Sequence, residues 1–323
     1  KKVILNFGDL LVMGVDPNAR NQRGSSLKAF ANFFKQLFGA GILTLPRAFT
    51  TAGIITGTAV WSLVVSLCAA SLLLLVSVRR DARTRLEAQH LDESAVDALI
   101  GTYPALARHL CGRWSYPFVA FAVVTLELAF CAGWVIVSSE CIATVFGGAL
   151  SGSALASFLA TQWHVTAALF PILCALSLIR FLRDMWWLSV GGFFVYIFGV
   201  IGVVMWDVAA QQAAPVAVPL VAFDARFPGT ALYTLEAVLM ALPMERSLRT
   251  PAHAPAIIVT SLVLYATIAV VFAIVAALFG LGSCAGGSIV MDCMPGGWST
   301  TAVRLAIAAT MVRFLFSFHL FRD

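Results

Sequence analysis

Two stretches of this sequence are long, apolar and free of formal charge, residues 48–78 and 254–291. A helix of about 20 apolar residues is long enough to cross the roughly 30 Å hydrocarbon core of a bilayer. A soluble core cannot bury many helices that are apolar on every side, whereas lipid accepts them because their backbone hydrogen bonds are satisfied internally. These stretches therefore predict an all-α integral membrane protein.

The composition supports the same class. Of the 323 residues, 60% are apolar and 11% are charged, and the mean hydropathy is +0.92. A soluble domain has roughly 25% charged residues. The net charge of +5 does not indicate nucleic-acid binding, because the basic residues cluster in short loops between apolar runs, as in membrane proteins. The chain begins at Lys1 and shows no cleavable signal pattern.

The apolar runs predict a polar amino-terminal arm, residues 1–27, and a transmembrane domain, residues 28–323. The domain has eight predicted spans: 28–50, 53–78, 114–146, 163–180, 185–207, 227–246, 254–281 and 301–321. Residues 79–113 form a long hydrophilic interruption. It contains an amphipathic stretch that we expect at the membrane surface, with these apolar residues among charged neighbours: Leu86, Leu91, Val96, Leu99 and Ile100.

The basic residues also predict the orientation. With a cytoplasmic amino terminus, 16 of the 21 Lys and Arg residues lie on the cytoplasmic side, three on the other side and two within spans. The protein is therefore expected to be multi-pass with its amino terminus in the cytoplasm. This pattern fits both the plasma membrane and an acidic organelle such as a vacuole or lysosome.

Cysteines and histidines give weaker signals. Cys284 and Cys293 fall in a Gly-rich loop on the predicted non-cytoplasmic side, where they form either a disulfide or two free thiols. The five histidines are scattered over span edges and loops, with no spacing that indicates a metal site. The sequence also lacks a zinc-protease or nucleophile-elbow motif. We therefore expect no enzyme activity, no metal and no cofactor.

The first span contains Gly39-Ala40-Gly41 and is closed by Pro46. Two glycines one residue apart lower helix propensity by about 1 kcal/mol each and allow the backbone to unwind. Unwound backbone at membrane depth is stable only where it faces protein or a wet cavity. In secondary transporters such breaks bind substrate. The same spacing of small residues also serves close helix packing, so both interpretations stay open here.

The sixth span contains Glu236 near its centre and Pro243 one to two turns later. An intramembrane ionisable residue costs about 2.5–3.5 kcal/mol on insertion scales and is a functional candidate by default. Glu236 either contacts substrate or couples protons, or it is hydrogen-bonded to helix ends and holds a break open. In the third span Glu127 lies deeper than Glu140, so Glu127 is a candidate proton site or intrabundle partner.

These interrupted spans resemble the amino acid/auxin permease family, whose conserved region is the amino acid transporter transmembrane domain. Residues 32–49 contain the Asn, the Lys, the Gly-x-Gly and the Leu-Pro-x-Ala-Phe typical of its first helix, closed by Ala52-Gly53. The sixth helix of the family begins with Phe-x-Gly-Thr-Ala, as residues 227–231 do, and ends with Leu-Pro-x-Glu, as residues 242–245 do. Its central Phe-Glu-Gly corresponds to residues 235–237, where Ala237 replaces the glycine.

The resemblance implies the inverted-repeat fold of the amino acid–polyamine–organocation superfamily, with discontinuous first and sixth helices. It implies secondary active transport of amino acids by alternating access, coupled to H⁺ or Na⁺. The third and eighth spans would line the site, and Glu236 and Glu127 would be coupling or gate residues. The implied substrate-binding residues are Gly39, Ala40, Gly41, Ile42, Tyr233, Thr234, Leu235 and Ala237.

Two departures from the family qualify this expectation. Ala237 adds a methyl group, so the sixth-helix break is expected to be narrower. The family has about eleven helices and this sequence stops after eight, so we expect a fragment whose fold is truncated. A non-transporting remnant or a nutrient sensor that keeps the permease fold is the alternative.

Overall fold

The structure, a computed structural model, describes residues 25–149, 161–177, 194–199, 201–202, 217–279, 301–305 and 307. Within these ranges the secondary structure is helical and no strand is present. The α-helices are α1 (Ser26–Gln36), α2 (Leu45–Ala52), α3 (Ile54–Glu87), α4 (Glu93–Ile100), α5 (Tyr103–Cys111), α6 (Ser115–Ala149), α7 (Gln162–Ser177), α8 (Phe227–Tyr233), α9 (Ala241–Ser247) and α10 (Ala254–Leu278).

Four helical segments are long and apolar enough to cross a membrane. They are Ile54–Glu87, Ser115–Val145, Phe227–Ser247 and Pro251–Leu278. Large apolar side chains such as Leu63, Phe118 and Val263 are exposed along three of them. Such surfaces are stable against lipid rather than water. The prediction of an all-helical membrane protein is confirmed for the part of the chain that the structure describes.

Several sequence predictions fall outside the described residues. They are the arm up to residue 24, the loop that carries Cys284 and Cys293, and most of the predicted spans 185–207 and 301–321. Of those two spans, residues 194–199, 201–202, 301–305 and 307 are described, and all are helical.

The first predicted span is interrupted. Helix α1 ends at Gln36, and a 3₁₀ helix, Ala40–Thr44, precedes α2. Between them Gly39 has an extended backbone, with φ −100° and ψ −170°. Pro46 lies in the first turn of α2, where its missing N–H removes no helical hydrogen bond. We call residues 37–44 the first break.

The segment 227–247 is interrupted in a similar way. Helix α8 ends at Tyr233, and Leu235 has a non-helical backbone with φ −99° and ψ 51°. A 3₁₀ helix, Glu236–Met240, then leads into α9. We call residues 234–240 the second break.

The hydrophilic interruption is more ordered than the sequence suggests. Helix α3 continues nine residues beyond the predicted end at residue 78, and α4 and α5 follow. Val96 and Ile100 are buried in a small apolar cluster with Leu86 of α3 and Leu242 of α9. Helix α9 thus offers these side chains an apolar partner, whereas Leu91 and Leu99 of the same stretch are exposed. The place of the stretch at the membrane surface stays a prediction.

Charged side chains, two of them buried, surround the same cluster. Arg79 and Glu245, whose side chains are each 4% exposed, form an ion pair of 2.8 Å, and Arg80 lies 3.3 Å from the same carboxylate. Asp97 of α4 lies 3.8 Å from Arg79 and 3.5 Å from Arg246 of α9. These pairs join the end of α9 to α3 and α4.

At the other end of the breaks, the residues before α8 pair with the junction of α2 and α3. The backbone N–H groups of Ile54 and Ile55 donate to the carbonyls of Pro219 and Leu220, at 3.1 and 2.9 Å. Gly53 between the two helices has a φ of +80°, which favours glycine. A Cβ there would lie 2.8 Å from the backbone nitrogen of Ala222. The glycine thus allows the two segments to approach closely.

Candidate functional site

The two breaks pack directly against each other. A Cβ on Gly41 would lie 2.6 Å from the Cα of Thr234, so only a glycine lets the two backbones come this close. A Cβ on Gly39 would overlap the carboxyl group of Glu236. The glycines of the first break therefore form a recess that the second break fills.

The structure brings together the residues that the resemblance implies for substrate binding. Seven of the eight are buried, and Tyr233 is half-buried. In this conformation the residues of the two breaks fill the space between the two interrupted helices. The buried residues are Gly39, Ala40, Gly41, Ile42, Thr234, Leu235 and Ala237.

Glu236 lies at the centre of this contact and is 1% exposed. Its Oε2 accepts a hydrogen bond of 2.9 Å from the indole N–H of Trp134, on α6. The backbone of Ala40 also faces the carboxyl group. No described residue donates a hydrogen bond to Oε1. A buried polar oxygen without a partner is costly, so Oε1 is the atom of this site most in need of a donor.

Helix α6 contacts the end of α8 and the second break through residues spaced three or four apart on one face. The ring of Phe130 packs against Tyr233, with 5.9 Å between ring centroids. A Cβ on Gly133 would overlap the Tyr233 hydroxyl, and Trp134 binds Glu236 as described. Glu127 lies on the same helix, half-buried, and close enough to Glu236 to interact with it electrostatically.

Tyrosine hydroxyls donate hydrogen bonds to the backbone carbonyls that the breaks leave without helical partners. Unwound segments leave C=O groups without helical partners, and in a membrane these must find donors. Each hydroxyl comes from a different part of the chain. The bonds are Tyr196 to the Gly39 carbonyl at 2.9 Å, Tyr265 to the Thr234 carbonyl at 3.0 Å, and Tyr103 to the Val238 carbonyl at 2.8 Å.

Sequence reasoning missed Trp134, Tyr196 and Tyr265. One signal was available, because the chain has only five tyrosines. A tyrosine or tryptophan buried in an apolar span needs a hydrogen-bond partner for its polar atom. The signal marks these residues as candidates, but it does not identify the Glu236 carboxyl or the break carbonyls as their partners.

A small cavity lies on the α1 side of the breaks. It measures about 20 Å³, room for about one water molecule. Gln36 is 3% exposed, and its Nε2 finds no hydrogen-bond partner among the described residues. The lining residues are Ala29, Asn32, Phe33, Gln36, Met240, Met244 and Ser247.

In the described part of the chain, no three His, Cys, Asp or Glu residues are placed to hold a metal ion. An alkali cation needs only oxygen ligands, such as backbone carbonyls and hydroxyls. The break carbonyls of Gly39, Thr234 and Val238 are such ligands, and each accepts a tyrosine hydroxyl in this conformation. The carbonyl of Gly41 likewise accepts from the Thr44 hydroxyl at 2.7 Å.

Comparison with known proteins matches this architecture to a family. The model of the transmembrane amino acid transporter protein family matches residues 22–322. Amino acid transporter AVT3B of Arabidopsis thaliana is 26% identical over 233 residues, which are 68% of this chain and 52% of the relative. The chain thus spans about half the length of that relative. No solved structure matches the chain. The family and the relative are transporters rather than enzymes, and the chain belongs to the transmembrane amino acid transporter protein family.

Proposed function

We propose that the protein is a secondary active transporter that moves amino acids across a membrane by alternating access, coupled to H⁺ or Na⁺. The observation that carries this proposal is the meeting of two interrupted membrane helices at their breaks, with the buried carboxyl group of Glu236 between them. Discontinuous helices in secondary transporters place polar backbone at the depth where substrate binds.

The packing of the four half-helices supports alternating access. On one side of the breaks α2 packs against α8, where the rings of Phe49 and Phe227 make an edge contact with 5.2 Å between centroids. On the other side α1 packs against the second break and α9. The half-helices are thus in contact on both sides of the breaks in this conformation. Separation of one pair while the other stays packed opens the site to one side of the membrane at a time.

The breaks also supply the groups that an amino acid needs. An amino acid carries a carboxylate and an ammonium group. The N–H groups at the start of the 3₁₀ helix Ala40–Thr44 suit the carboxylate, and the break carbonyls suit the ammonium group. The substrate-binding residues of this proposal are Gly39, Ala40, Gly41, Ile42, Tyr233, Thr234, Leu235 and Ala237.

Glu236 is the first candidate for ion coupling, and Glu127 is the second. The carboxyl group of Glu236 occupies the recess at Gly39, so its charge acts directly on any ligand or cation bound there. Glu127 is half-buried on α6 and electrostatically linked to Glu236. A proton or a sodium ion near these two carboxyl groups would be linked to substrate binding.

The orientation and the membrane are part of the proposal. The excess of basic residues in alternate loops supports a cytoplasmic amino terminus, which places the Arg79–Glu245 pair near the cytoplasm. The membrane is the plasma membrane or that of a vacuole or lysosome.

Uptake by proteoliposomes tests the proposal. Vesicles that contain the purified protein are given a mixture of the twenty radiolabelled L-amino acids, with an inward proton gradient, an inward sodium gradient or no gradient. Gradient-dependent uptake is expected, and we expect Glu236→Gln and Gly41→Leu each to abolish it. Gly229→Ala is the control, because no atom lies within 4 Å of a Cβ there.

The alternative is a nutrient sensor or a non-transporting remnant that keeps the permease fold. A sensor would bind the amino-acid mixture without moving it into the vesicles, and a remnant would do neither. Wild-type uptake by both Glu236→Gln and Gly41→Leu would instead leave transport standing and overturn the assignment of the site to the breaks.

A further inference from the structure

The hydroxyl groups of Tyr196 and Tyr265 bind the two carbonyls that face the centre of the proposed site. Tyr196 donates to Gly39 in the first break, and Tyr265 of α10 donates to Thr234 in the second. Both side chains are fully buried. The two carbonyls belong to residues that contact each other's break, because Gly39 meets Glu236 and Gly41 meets Thr234.

The two tyrosines form one group around Glu236. Tyr196 interacts electrostatically with Tyr265, Tyr233 and Glu236, and Tyr265 interacts with Glu236. Tyr103 makes the third hydroxyl-to-carbonyl bond, to Val238. Its surroundings differ, because its electrostatic neighbours are Arg79, Cys68 and Glu127. Tyr196 and Tyr265 therefore share a site from which Tyr103 is separate.

A carbonyl freed at membrane depth needs a donor at every stage of a transport cycle. When the site is empty, a tyrosine hydroxyl supplies it. When an amino acid is bound, its ammonium group has three N–H donors and can supply the same bond more strongly, since charged donors make the stronger hydrogen bonds. The hydroxyl and the ammonium group therefore compete for the same oxygen.

We propose that Tyr196 and Tyr265 are exchangeable donors, which hold the Gly39 and Thr234 carbonyls while the site is empty and yield them to the ammonium group of the incoming amino acid. This inference rests on the proposed transport function. It makes the two tyrosines determinants of substrate affinity, because binding must first break their hydrogen bonds.

The exchange of donors predicts that the loss of a tyrosine hydroxyl makes substrate binding tighter. Tyr265→Phe removes the hydroxyl and leaves the Thr234 carbonyl without a donor only when the site is empty. The empty protein is then less stable, while the loaded protein is unchanged, so the substrate binds more tightly. We expect Tyr265→Phe and Tyr196→Phe each to lower the half-saturation concentration for uptake by about three- to tenfold.

The experiment measures two quantities for Tyr265→Phe, Tyr196→Phe and Tyr103→Phe. The first is the half-saturation concentration for uptake of an equimolar mixture of radiolabelled L-amino acids into proteoliposomes. The second is the melting temperature of the purified protein without amino acids and with a saturating mixture. Tyr103→Phe is the matched control, because it also removes a hydroxyl from a break carbonyl but lies outside the group around Glu236.

The outcomes separate the inference from the function it rests on. The exchange is supported if Tyr265→Phe and Tyr196→Phe melt earlier when empty, regain the wild-type melting temperature with amino acids, and take up substrate at lower concentrations. An unchanged half-saturation concentration would overturn it and leave the tyrosines structural. A higher one would overturn it and place the hydroxyls on the substrate itself. If the wild-type protein takes up no amino acid, the proposed function fails first.

Discussion

The two breaks contribute different groups to the contact between them. The first break has glycines at residues 39 and 41, so it presents bare backbone to its neighbour. The second break contains no glycine and presents the side chains of Thr234 and Glu236. Each glycine of the first break receives one of these two residues. The two interruptions thus form one complementary contact, with a recess on one helix and side chains on the other.

The two breaks also differ in how neighbouring helices hold them. The second break receives hydrogen bonds from Trp134 of α6, Tyr265 of α10 and Tyr103 of α5. The described contact of this kind to the first break comes from Tyr196. We therefore expect substitutions in the first break to act through steric overlap, and substitutions around the second break to act through lost polar partners.

The same contrast extends to the helices on the α1 side. Helix α9 ends in two ion pairs, a buried one through Glu245 and a half-buried one through Arg246. At the start of α1, Ser26 makes an exposed hydrogen bond of 2.8 Å to His253. The second broken helix is thus anchored by ion pairs where the first has an exposed hydrogen bond.

The largest effect is expected for Glu245→Gln. The substitution keeps the shape of the side chain but leaves Arg79 buried without its closest counter-charge, 2.8 Å away. Loss of one partner of a buried ion pair costs about 3–5 kcal/mol. We expect the free energy of unfolding, measured by denaturant titration in detergent micelles, to fall by that amount.

Glu87→Gln is the matched control for Glu245→Gln. Glu87 also pairs with an arginine, Arg83 at 2.7 Å, but its side chain is 52% exposed. Exposed ion pairs contribute less than about 1 kcal/mol. Equal losses in the two variants would contradict the view that charge anchors the second broken helix.

The next effect is expected for Gly41→Ala in the first break. The added methyl group meets the backbone of Thr234, which cannot rotate away as a side chain can. Overpacking of this kind costs about 2–3 kcal/mol. We expect this loss in the free energy of unfolding, together with loss of amino-acid uptake.

Two further substitutions are compared with Gly41→Ala for their effect on the free energy of unfolding. Gly39→Ala meets the end of the Glu236 side chain, which is able to shift, so we expect a smaller loss than for Gly41→Ala. Ala237→Gly adds a glycine to the second break, and we expect a cost of about 0.5–1 kcal/mol. If Ala237→Gly were as harmful as Gly41→Ala, the contrast between a recess and its filling side chains would be wrong.

The sequence predicts much of this arrangement because its strongest signals are local. The uncharged run 48–78 is sufficient to assign the chain to a membrane, and Gly39 with Gly41 marks the first interruption. Glu236 is conspicuous because a carboxyl group is rare in an apolar span. Each of these features is visible within a window of a few residues, and the family resemblance supplied their order along the chain.

The partners of these residues were not predictable because they are distant in sequence and carry no periodic signal. Helix α6 has no distinct polar face, so no pattern indicates that Trp134 rather than another residue faces Glu236. Arg79 and Glu245 are 166 residues apart, and either could have been solvated. The sequence identifies candidate residues for such pairs, and the packing of the helices determines which of them are in contact.

A moderate effect is expected for Trp134→Phe. Phenylalanine keeps an aromatic ring but removes the N–H that donates to Oε2 of Glu236, so neither carboxyl oxygen then has a side-chain donor. An unpaired buried acceptor costs about 1–2 kcal/mol. The free energy of unfolding measures this loss, and a double-mutant cycle with Glu236→Gln separates the hydrogen bond from the change in ring size.

Trp163→Phe is the control for the Trp134 result, because Trp163 lies on α7 and is 79% exposed. We expect little change in its unfolding free energy. A coupling energy near zero between Trp134→Phe and Glu236→Gln would show that the second break does not depend on this polar partner.

The smallest effect is expected at the α2 and α8 ends of the broken helices, where Asp224 joins the two. Its carboxylate accepts hydrogen bonds from the Arg226 backbone N–H at 2.9 Å and from the Thr51 hydroxyl at 2.8 Å. These bonds hold the pKa of Asp224 below its usual range. Because the folded pKa is the lower one, the stabilisation is present above the unfolded pKa of about 3.9 and is lost as the pH falls through the folded pKa.

Asp224→Asn should therefore lower the melting temperature at pH 7 by no more than about 1–2 °C, since the group is close to solvent. The gap between wild type and variant should narrow as the pH falls below about 4. Thr51→Val removes one of the two donors, so its melting temperature should differ from that of the wild type by less than for Asp224→Asn. The dependence of this difference on pH should be the same. A gap that stays constant from pH 7 to pH 3 would mean that the charge of Asp224 does not stabilise this junction. The two broken helices would then be joined here by apolar packing, as at Phe49 and Phe227, rather than by a polar contact like those at the second break.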